Sequence, residues 1–555
     1  MSLRYLPRFC WLGLAIGCVF ASADRSGAAD WPQFRGPDGV GVSAESNLPD
    51  VWGPEKNVHW KANLPGAGWS SPVVWGDRVF LTTAITENQP KPSAGGGRGG
   101  FGGGGGFGGG DGTGGGGGRR SADAENAPQG GPSDDADRPR RRGPGAREGN
   151  DEPADPKTQP VPADKADDGK PAADAPADDQ PRGPGRGAGG AGGRGGRGGA
   201  GGFGGFGRGA GKPPEALYRF EVYCLDRNSG EVLWQKLAVE QKPTIPTHRT
   251  NTYASETPVT DGERVYAYFG MTGLFCYDMQ GELLWKKDLG VHRMTADWGT
   301  GSSPVLEGNL LFIQCDNEQD SFLVALDKMS GKEVWREKRD QKSSWCTPYV
   351  WHNQNRTELV TAGTTGARSY DPKTGKFLWE LTGMSGRCSA TPVGDSERVY
   401  FGCGGGMGGS GPLVAIRAGA EGKFAIASGE EKPGQVAWSV ARGGPPMASP
   451  LLYQGRLYVL EQRGGLIVCY DAADGKQLYK QRIAGAKGFT SSPWAYDGKV
   501  FCMDEASETF VIEAGPEYKL LGQNPLGGGM CWSSPAIAGG ALFLRDLDSL
   551  YCIKP

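Results

Sequence analysis

An all-β ring of eight four-stranded antiparallel blades is the fold predicted for this chain, and three observations carry the prediction. A hydroxyl residue followed by proline returns eight times, at Ser71-Pro72, Thr257-Pro258, Ser303-Pro304, Thr347-Pro348, Thr391-Pro392, Ser449-Pro450, Ser492-Pro493 and Ser534-Pro535. Most copies are followed by a second phrase, an aspartate, a turn glycine and an aromatic residue, as in Asp226, Gly230 and Trp234. The repeating unit runs to about 40–55 residues, the length of a propeller blade.

Each unit divides into four strands. The proline opens a short apolar run, the first strand. A second run follows, such as Arg78-Val79-Phe80-Leu81 or Leu457-Tyr458-Val459-Leu460. The third strand ends on the aspartate, whose side chain starts a tight turn, and the glycine supplies the positive φ that the turn needs. The aromatic then opens the fourth strand. Trp234, Trp285, Trp335, Trp379, Trp438 and Tyr479 are expected to dock each blade on its neighbour. The eighth copy stops after Tyr551-Cys552-Ile553, one strand short. A spare strand running from Asn57 through Trp60 to Leu64 precedes the first copy, and it is expected to complete the last blade and close the ring. Copies five and seven are worn: five reaches Trp438 only after an insertion, and seven lacks the turn aspartate.

The near-constant spacing of the Ala/Cys-x-Asp, Gly and Trp positions resembles the pyrroloquinoline-quinone (PQQ) repeat family of eight-bladed propellers. The resemblance covers residues 57–84 and 216–555. The family holds quinoprotein alcohol and glucose dehydrogenases as well as non-enzymatic relatives such as the assembly lipoprotein BamB. The opening Trp31-Pro32-Gln33-Phe34-Arg35-Gly36-Pro37 also resembles exported PQQ-like propellers of planctomycete-type bacteria. A resemblance at this level implies the fold, whereas the function belongs to the site.

Composition sets the domain boundaries. Residues 1–29 read as a signal peptide: Arg4 and Arg8 precede an apolar stretch from Phe9 to Phe20, with small residues behind it. That stretch is too short to span a bilayer as a helix. Cleavage fits after Ala23 or Ala29, and Ala15-Ile16-Gly17-Cys18 gives a second reading, a lipid anchor at Cys18. The chain is therefore expected outside the cytoplasm, periplasmic or at the cell surface, with no transmembrane segment once the signal is removed. A lead segment follows over 30–56, and the propeller runs over 57–555. Within blade 1, residues 86–215 form an insertion of Gly, Pro, Asp, Ala and Arg with hardly any aliphatic residues. Such a stretch cannot offset its ordering entropy and is expected to be disordered. Its Arg-Gly-Gly triplets at Arg98, Arg194 and Arg197 are interrupted by acidic blocks, and the net charge of −3 argues against a nucleic-acid partner. A monomer is expected.

Cysteine usage points to packing. Ten cysteines follow the signal, and Cys224, Cys276, Cys469 and Cys552 share a repeat column with Ala325, Ser369, Ala415 and Val511. Cys346, Cys388 and Cys531 sit just before inner strands, where packing is again the simpler role. There is no adjacent Cys-Cys pair of the kind that the alcohol-dehydrogenase branch keeps beside its quinone, and no Cys-x-x-Cys-His haem site. With four histidines in the chain, a histidine-rich metal centre is not expected.

The repeat register predicts which face works. The Asp-to-Trp turns lie on one face and are short and uniform. The long, varied connections lie on the other, where binding residues concentrate. Candidates there are His248, Arg249, His292, Trp298, Asp316, Asn317, Trp345, Arg387, Asp504, Glu505 and Trp532. Glu256 stands out because small residues otherwise fill its column. It reads either as a functional carboxylate or as a buried glutamate paired with an Arg or Lys. Two functions are open. One is a non-catalytic binding or assembly scaffold taking a protein or glycan partner on the long-loop face. The other, implied by the resemblance, is a PQQ- and calcium-dependent dehydrogenase, with Glu256 and Asn317 or Asp316 on calcium and Asp297 taking the substrate proton.

Overall fold

The computed structural model describes residues 30–88, 91–92, 211–405, 409–426 and 434–555. The expected leader with Cys18 and most of the glycine-rich insertion lie outside these residues. The remainder forms eight blades around one axis. Blade 1 shows the plan: Val73–Trp75 innermost, then Arg78–Ile85, Tyr218–Asp226 and Val232–Gln241, each antiparallel to the last. The inner three strands are buried on both sides by neighbouring blades, so they read as continuous apolar runs, whereas the outer strand alternates.

The recurrent hydroxyl has a structural purpose. The backbone N–H of Ser71 donates to Thr257 Oγ1, that of Thr257 to Ser303 Oγ, and that of Ser303 to Thr347 Oγ1, at 2.9–3.0 Å. Beyond blade 4 the series resumes, Thr391 to Ser449, Ser449 to Ser492, Ser492 to Ser534, and Ser534 back to Ser71, each at 3.0 Å. At the interrupted step, Thr347 and Thr391 border a small cavity. A buried N–H needs an acceptor, and the following proline carries no N–H of its own to satisfy. Ser or Thr supplies that acceptor at seven of the eight steps.

The docking aromatics work between blades. The indole N–H of Trp234 donates to Met279 O, that of Trp285 to Lys328 O, that of Trp335 to Pro372 O and that of Trp438 to Ala472 O, at 3.0–3.1 Å. In each case the acceptor immediately follows the turn aspartate of the next blade, and the ring covers that blade's turn glycine. A Cβ on Gly281, Gly331, Gly375 or Gly475 would stand 2.6–2.8 Å from an atom of the docked residue or its neighbouring lysine. These glycines are therefore required twice, for positive φ and for absent bulk. The column of small residues is explained by the same contact, since Cys224, Cys276, Ala325, Ala415 and Cys469 lie directly across the ladder from their own blade's docking aromatic.

Ring closure follows expectation. Val58–Asn63 pairs antiparallel with Ser549–Ile553 as the fourth strand of blade 8. Trp60 then docks on blade 1: its indole N–H donates to Arg227 O at 2.9 Å, over Gly230. Trp379 departs from the pattern. Its N–H donates to Glu358 Oε2 of its own blade at 2.7 Å, and its ring packs on Phe401 and Phe424. The reason is the insertion in blade 5, which replaces the Asp-Gly turn. Its Gly422–Ala425 segment adds a fifth, parallel strand to blade 4 along Phe377–Thr382. Tyr479 packs edge-on to Tyr518, in a blade 7 turn that has no aspartate.

The lead segment crosses the tight-turn face. Trp31 exchanges both backbone hydrogen bonds with Val74 of blade 1, and Pro32 O accepts from Thr260 of blade 2. Gly41 and Ser43 bond to Ala495 of blade 7, and Glu45 accepts the N–H groups of Gly539 and Gly540 in blade 8. Arg35 is buried beneath this crossing and donates to Val40 O at 2.8 Å.

Candidate functional site

The long connections of blades 2 to 5 bring four of the candidates together. Trp298 follows a 3₁₀ turn, Thr295–Asp297, in which Ala296 and Asp297 hold φ of 51° and 57°. Left-handed backbone at two successive non-glycine residues is costly and persists only where the surroundings enforce it. Asn251 provides that restraint, donating from Nδ2 to Trp298 O at 2.8 Å and to Thr300 O at 3.2 Å. The Trp298 ring lies 5.6 Å from Trp345, at 33°, and Trp345 is fixed by its own N–H to Gly299 O at 2.7 Å. The Arg387 guanidinium lies over the same indole, 4.0 Å from the Trp298 ring centroid. His248 meets the same indole edge-on at 6.3 Å, with Nδ1 2.8 Å from Thr250 Oγ1. Burial, followed by the charge of Arg249, holds the His248 pKa below its usual value. The result is a half-buried indole pair under an exposed cation.

A second aromatic pair lies at the junction of blades 8 and 1. Trp69 and Trp532 stack at 5.6 Å and 28°, packed with Met530 and Leu547, and Trp69 donates to Thr250 O at 2.9 Å. Glu505 lies beside them and accepts from Thr490 Oγ1 at 2.7 Å. Burial raises its pKa, and Asp504 adds to the rise.

The other candidates make contacts of their own. Asp297 accepts from Gly211 N at 2.9 Å and pairs with Arg293 at 3.3 Å. His292 folds back onto Leu289 O and packs on Phe322. Asp504 caps its own turn, accepting from Ala506, Glu508 and Lys487 N–H groups.

Glu256 corrects one expectation. It is 1% exposed, yet among the described residues no Arg or Lys pairs with it. Burial pushes its carboxyl up to about 7, opposed by hydrogen bonds from Thr300 and from backbone N–H groups including Gly270. Its Oε1 has no partner. The buried Arg545 donates to Ser70 O at 2.8 Å and to Thr82 O at 2.9 Å.

The calcium set does not assemble from the residues assigned to it. Both oxygens of Asp316 are taken by Arg339, at 2.7 and 3.0 Å, in a fully buried ion pair. Asn317 Oδ1 accepts from Gln319 and Asp320 N–H at 2.8 Å, while its amide donates to Asp320 O, an Asx turn closed on itself. Among the described residues, no three His, Cys, Asp or Glu side chains are placed to hold a metal ion. These side chains do not fit a shared calcium site with Glu256.

Sequence reasoning missed Asn251 as the residue that fixes Trp298, and Thr300 as the partner of Glu256. Both are single polar residues inside irregular connections, with no repeat column against which to stand out.

A propeller of eight four-stranded blades with this docking contact is a PQQ-like repeat protein. The chain belongs to the family described as outer membrane protein assembly factor BamB, which matches residues 219–423 and 422–515. Solved structures that resemble it include BamB from Moraxella catarrhalis, at 12% identity and a TM-score of 0.40, over 60% of this chain and 88% of that one. Quinohemoprotein alcohol dehydrogenase from Comamonas testosteroni resembles it at 11% identity and a TM-score of 0.45, over 61% and 73%. No curated protein matches the chain. Among the described residues no helix is long and apolar enough to cross a membrane.

Proposed function

We propose that this chain is an exported, non-catalytic scaffold that takes a protein or glycan partner on its long-loop face. The observation that carries the reading is the cluster of Trp298, Trp345, Arg387 and His248. It offers an aromatic platform with a cation and a neutral imidazole at a partly exposed position. Aromatic and arginine anchors of this kind dominate binding surfaces. The family supports the same reading, since its description is that of an assembly factor. The recurrent Ser and Thr side chains before the prolines are meanwhile spent on interblade hydrogen bonds at seven of the eight steps.

Two measurements test the reading. In the first, the protein is titrated with PQQ and calcium, following tryptophan fluorescence and melting temperature. No saturable response is expected from the folded protein, and saturable binding with a raised melting temperature would replace the scaffold with a cofactor-using enzyme. In the second, a photocrosslinking residue is placed at Arg387 or, on the tight-turn face, at Lys373 in cells that make the protein. Specific adducts should form from position 387 and not from 373; equal labelling from both would remove the long-loop face as the working surface.

A further inference from the structure

The ten cysteines among the described residues are thiols, and two of them stand opposite one another beside an antiparallel bridge. Arg387 and Gly404 form an antiparallel bridge, with Arg387 N donating to Gly404 O at 3.1 Å and Gly404 N to Arg387 O at 2.9 Å. One residue inward on each chain come Cys388 and Cys403. Their position next to a hydrogen-bonded pair makes them a non-hydrogen-bonded pair, the register in which facing side chains approach most closely. The Cα separation of such a pair, about 4.5 Å, falls within the range that a disulfide spans.

The surroundings favour that contact. Both side chains are fully buried in the seam between blades 4 and 5 with Cys346, Trp379 and Phe401. Glycines leave them room: a Cβ on Gly411 would stand 2.9 Å from the Cys403 sulfur, and one on Gly386 3.1 Å. The Cys388 thiol donates to Gly363 O at 3.2 Å and the Cys403 thiol to Ser385 O at 3.8 Å, and the proximity of the two thiols raises the Cys388 pKa well above its usual value and lowers that of Cys403.

We infer that Cys388 and Cys403 are a disulfide-forming pair that closes the first hairpin of blade 5 directly beneath Arg387. The oxidant is a disulfide donor of the chemical class R–S–S–R. The Cys403 thiolate attacks one donor sulfur, forming a mixed disulfide and expelling one RS⁻. The Cys388 sulfur, giving up its proton, attacks Cys403 Sγ and expels the second RS⁻. Two protein thiols are oxidised, one donor disulfide is reduced to two thiols, and the two protons released on the protein are taken up by the leaving groups. Because both sulfurs are buried in the closed ring, the exchange belongs to folding, before blade 5 packs on blade 4. The bond would fix the backbone that holds Arg387 over Trp298. It does not depend on the scaffold reading, because the test needs only the folded chain.

The test is to refold the full chain in a reduced and oxidised glutathione buffer, then unfold it in acid and alkylate it without reductant. Peptide mass spectrometry then locates each thiol. The expected result is one cross-linked peptide pair joining Cys388 to Cys403, about 2 Da lighter than the sum of the two thiol peptides, with Cys224, Cys276, Cys469 and Cys552 alkylated. Alkylation of both Cys388 and Cys403, or a bond from Cys346 to either, overturns the assignment. In a second measurement, dithiothreitol should lower the melting temperature of the oxidised wild type and leave that of Cys388→Ser/Cys403→Ser unmoved. Equal shifts in both proteins would count against it.

Discussion

At the scale of single residues, Glu256 carries the most distinctive physics. A lone glutamate in a column of small residues was legible in the sequence, but its environment was not, because its partner Thr300 lies in the irregular connection to the next blade. Its folded pKa of about 7 stands above the ordinary 4.5, so the folded protein retains a proton that the unfolded chain releases. Any stability this raised pKa gives is fully present below pH 4.5 and is lost as the pH rises through 7. At about 1.4 kcal/mol per unit, the loss is on the order of 3 kcal/mol. Glu256→Gln removes the titrating group. Urea unfolding at pH 5 and pH 7.5 should therefore show wild type weakening relative to the Gln variant, and parallel behaviour would mean that the carboxyl is hydrated and ionises normally. The Trp298 cluster makes a second prediction: Trp298→Ala should leave the melting temperature within a few degrees while abolishing the crosslinks from position 387, because the indole is only half-buried.

At the scale of elements, the docking contact was legible because each copy repeats all of its parts. Asp, Gly and Trp recur at fixed spacing, and the structure adds that the Trp of one blade covers the Gly of the next. Trp335→Ala should cost about 3 kcal/mol, measured as a loss in unfolding free energy. Gly375→Ala should also destabilise, because its Cβ would meet the Trp335 ring at 2.8 Å and its φ is 72°. If Gly375→Ala melts like wild type, the turn tolerates bulk and the docking argument fails. Trp379 shows where sequence reading ran out. Its partners include Phe424, which reaches blade 4 only because the blade 5 insertion folds back as a parallel strand. Nothing in the periodicity announces a strand lent by one blade to another.

At the scale of the whole molecule, eight blades and their closure were readable from the count of Ser/Thr-Pro copies and the missing final strand. The path of the lead segment was not readable, since it occurs once and has no repeat to align against. It bonds to blades 1, 2 and 7 through backbone groups that any sequence could offer, and to blade 8 through the single side chain of Glu45. Trp60→Ala should lower the melting temperature as much as an internal docking variant such as Trp234→Ala. A markedly smaller shift would mean that closure rests on the strand pairing alone. Thr86 Oγ1 lies 2.6 Å from Leu217 O, so the two sides of the blade 1 insertion already meet. Joining them by a short turn in place of residues 88–215 should yield a soluble protein with unchanged circular dichroism.

The closing strand pair has a mechanical consequence. Val58 lies opposite Ile553, and Lys554 N donates to Asn57 O at 2.9 Å, so the chain enters and leaves blade 8 at the same end of one ladder. A force drawing Asn57 away from Pro555 loads these hydrogen bonds one after another, as a zipper is opened, and never shears them together. The ring should therefore resist heat far better than it resists a pull at this seam, and under tension it would open into a row of blades through blade 8 first.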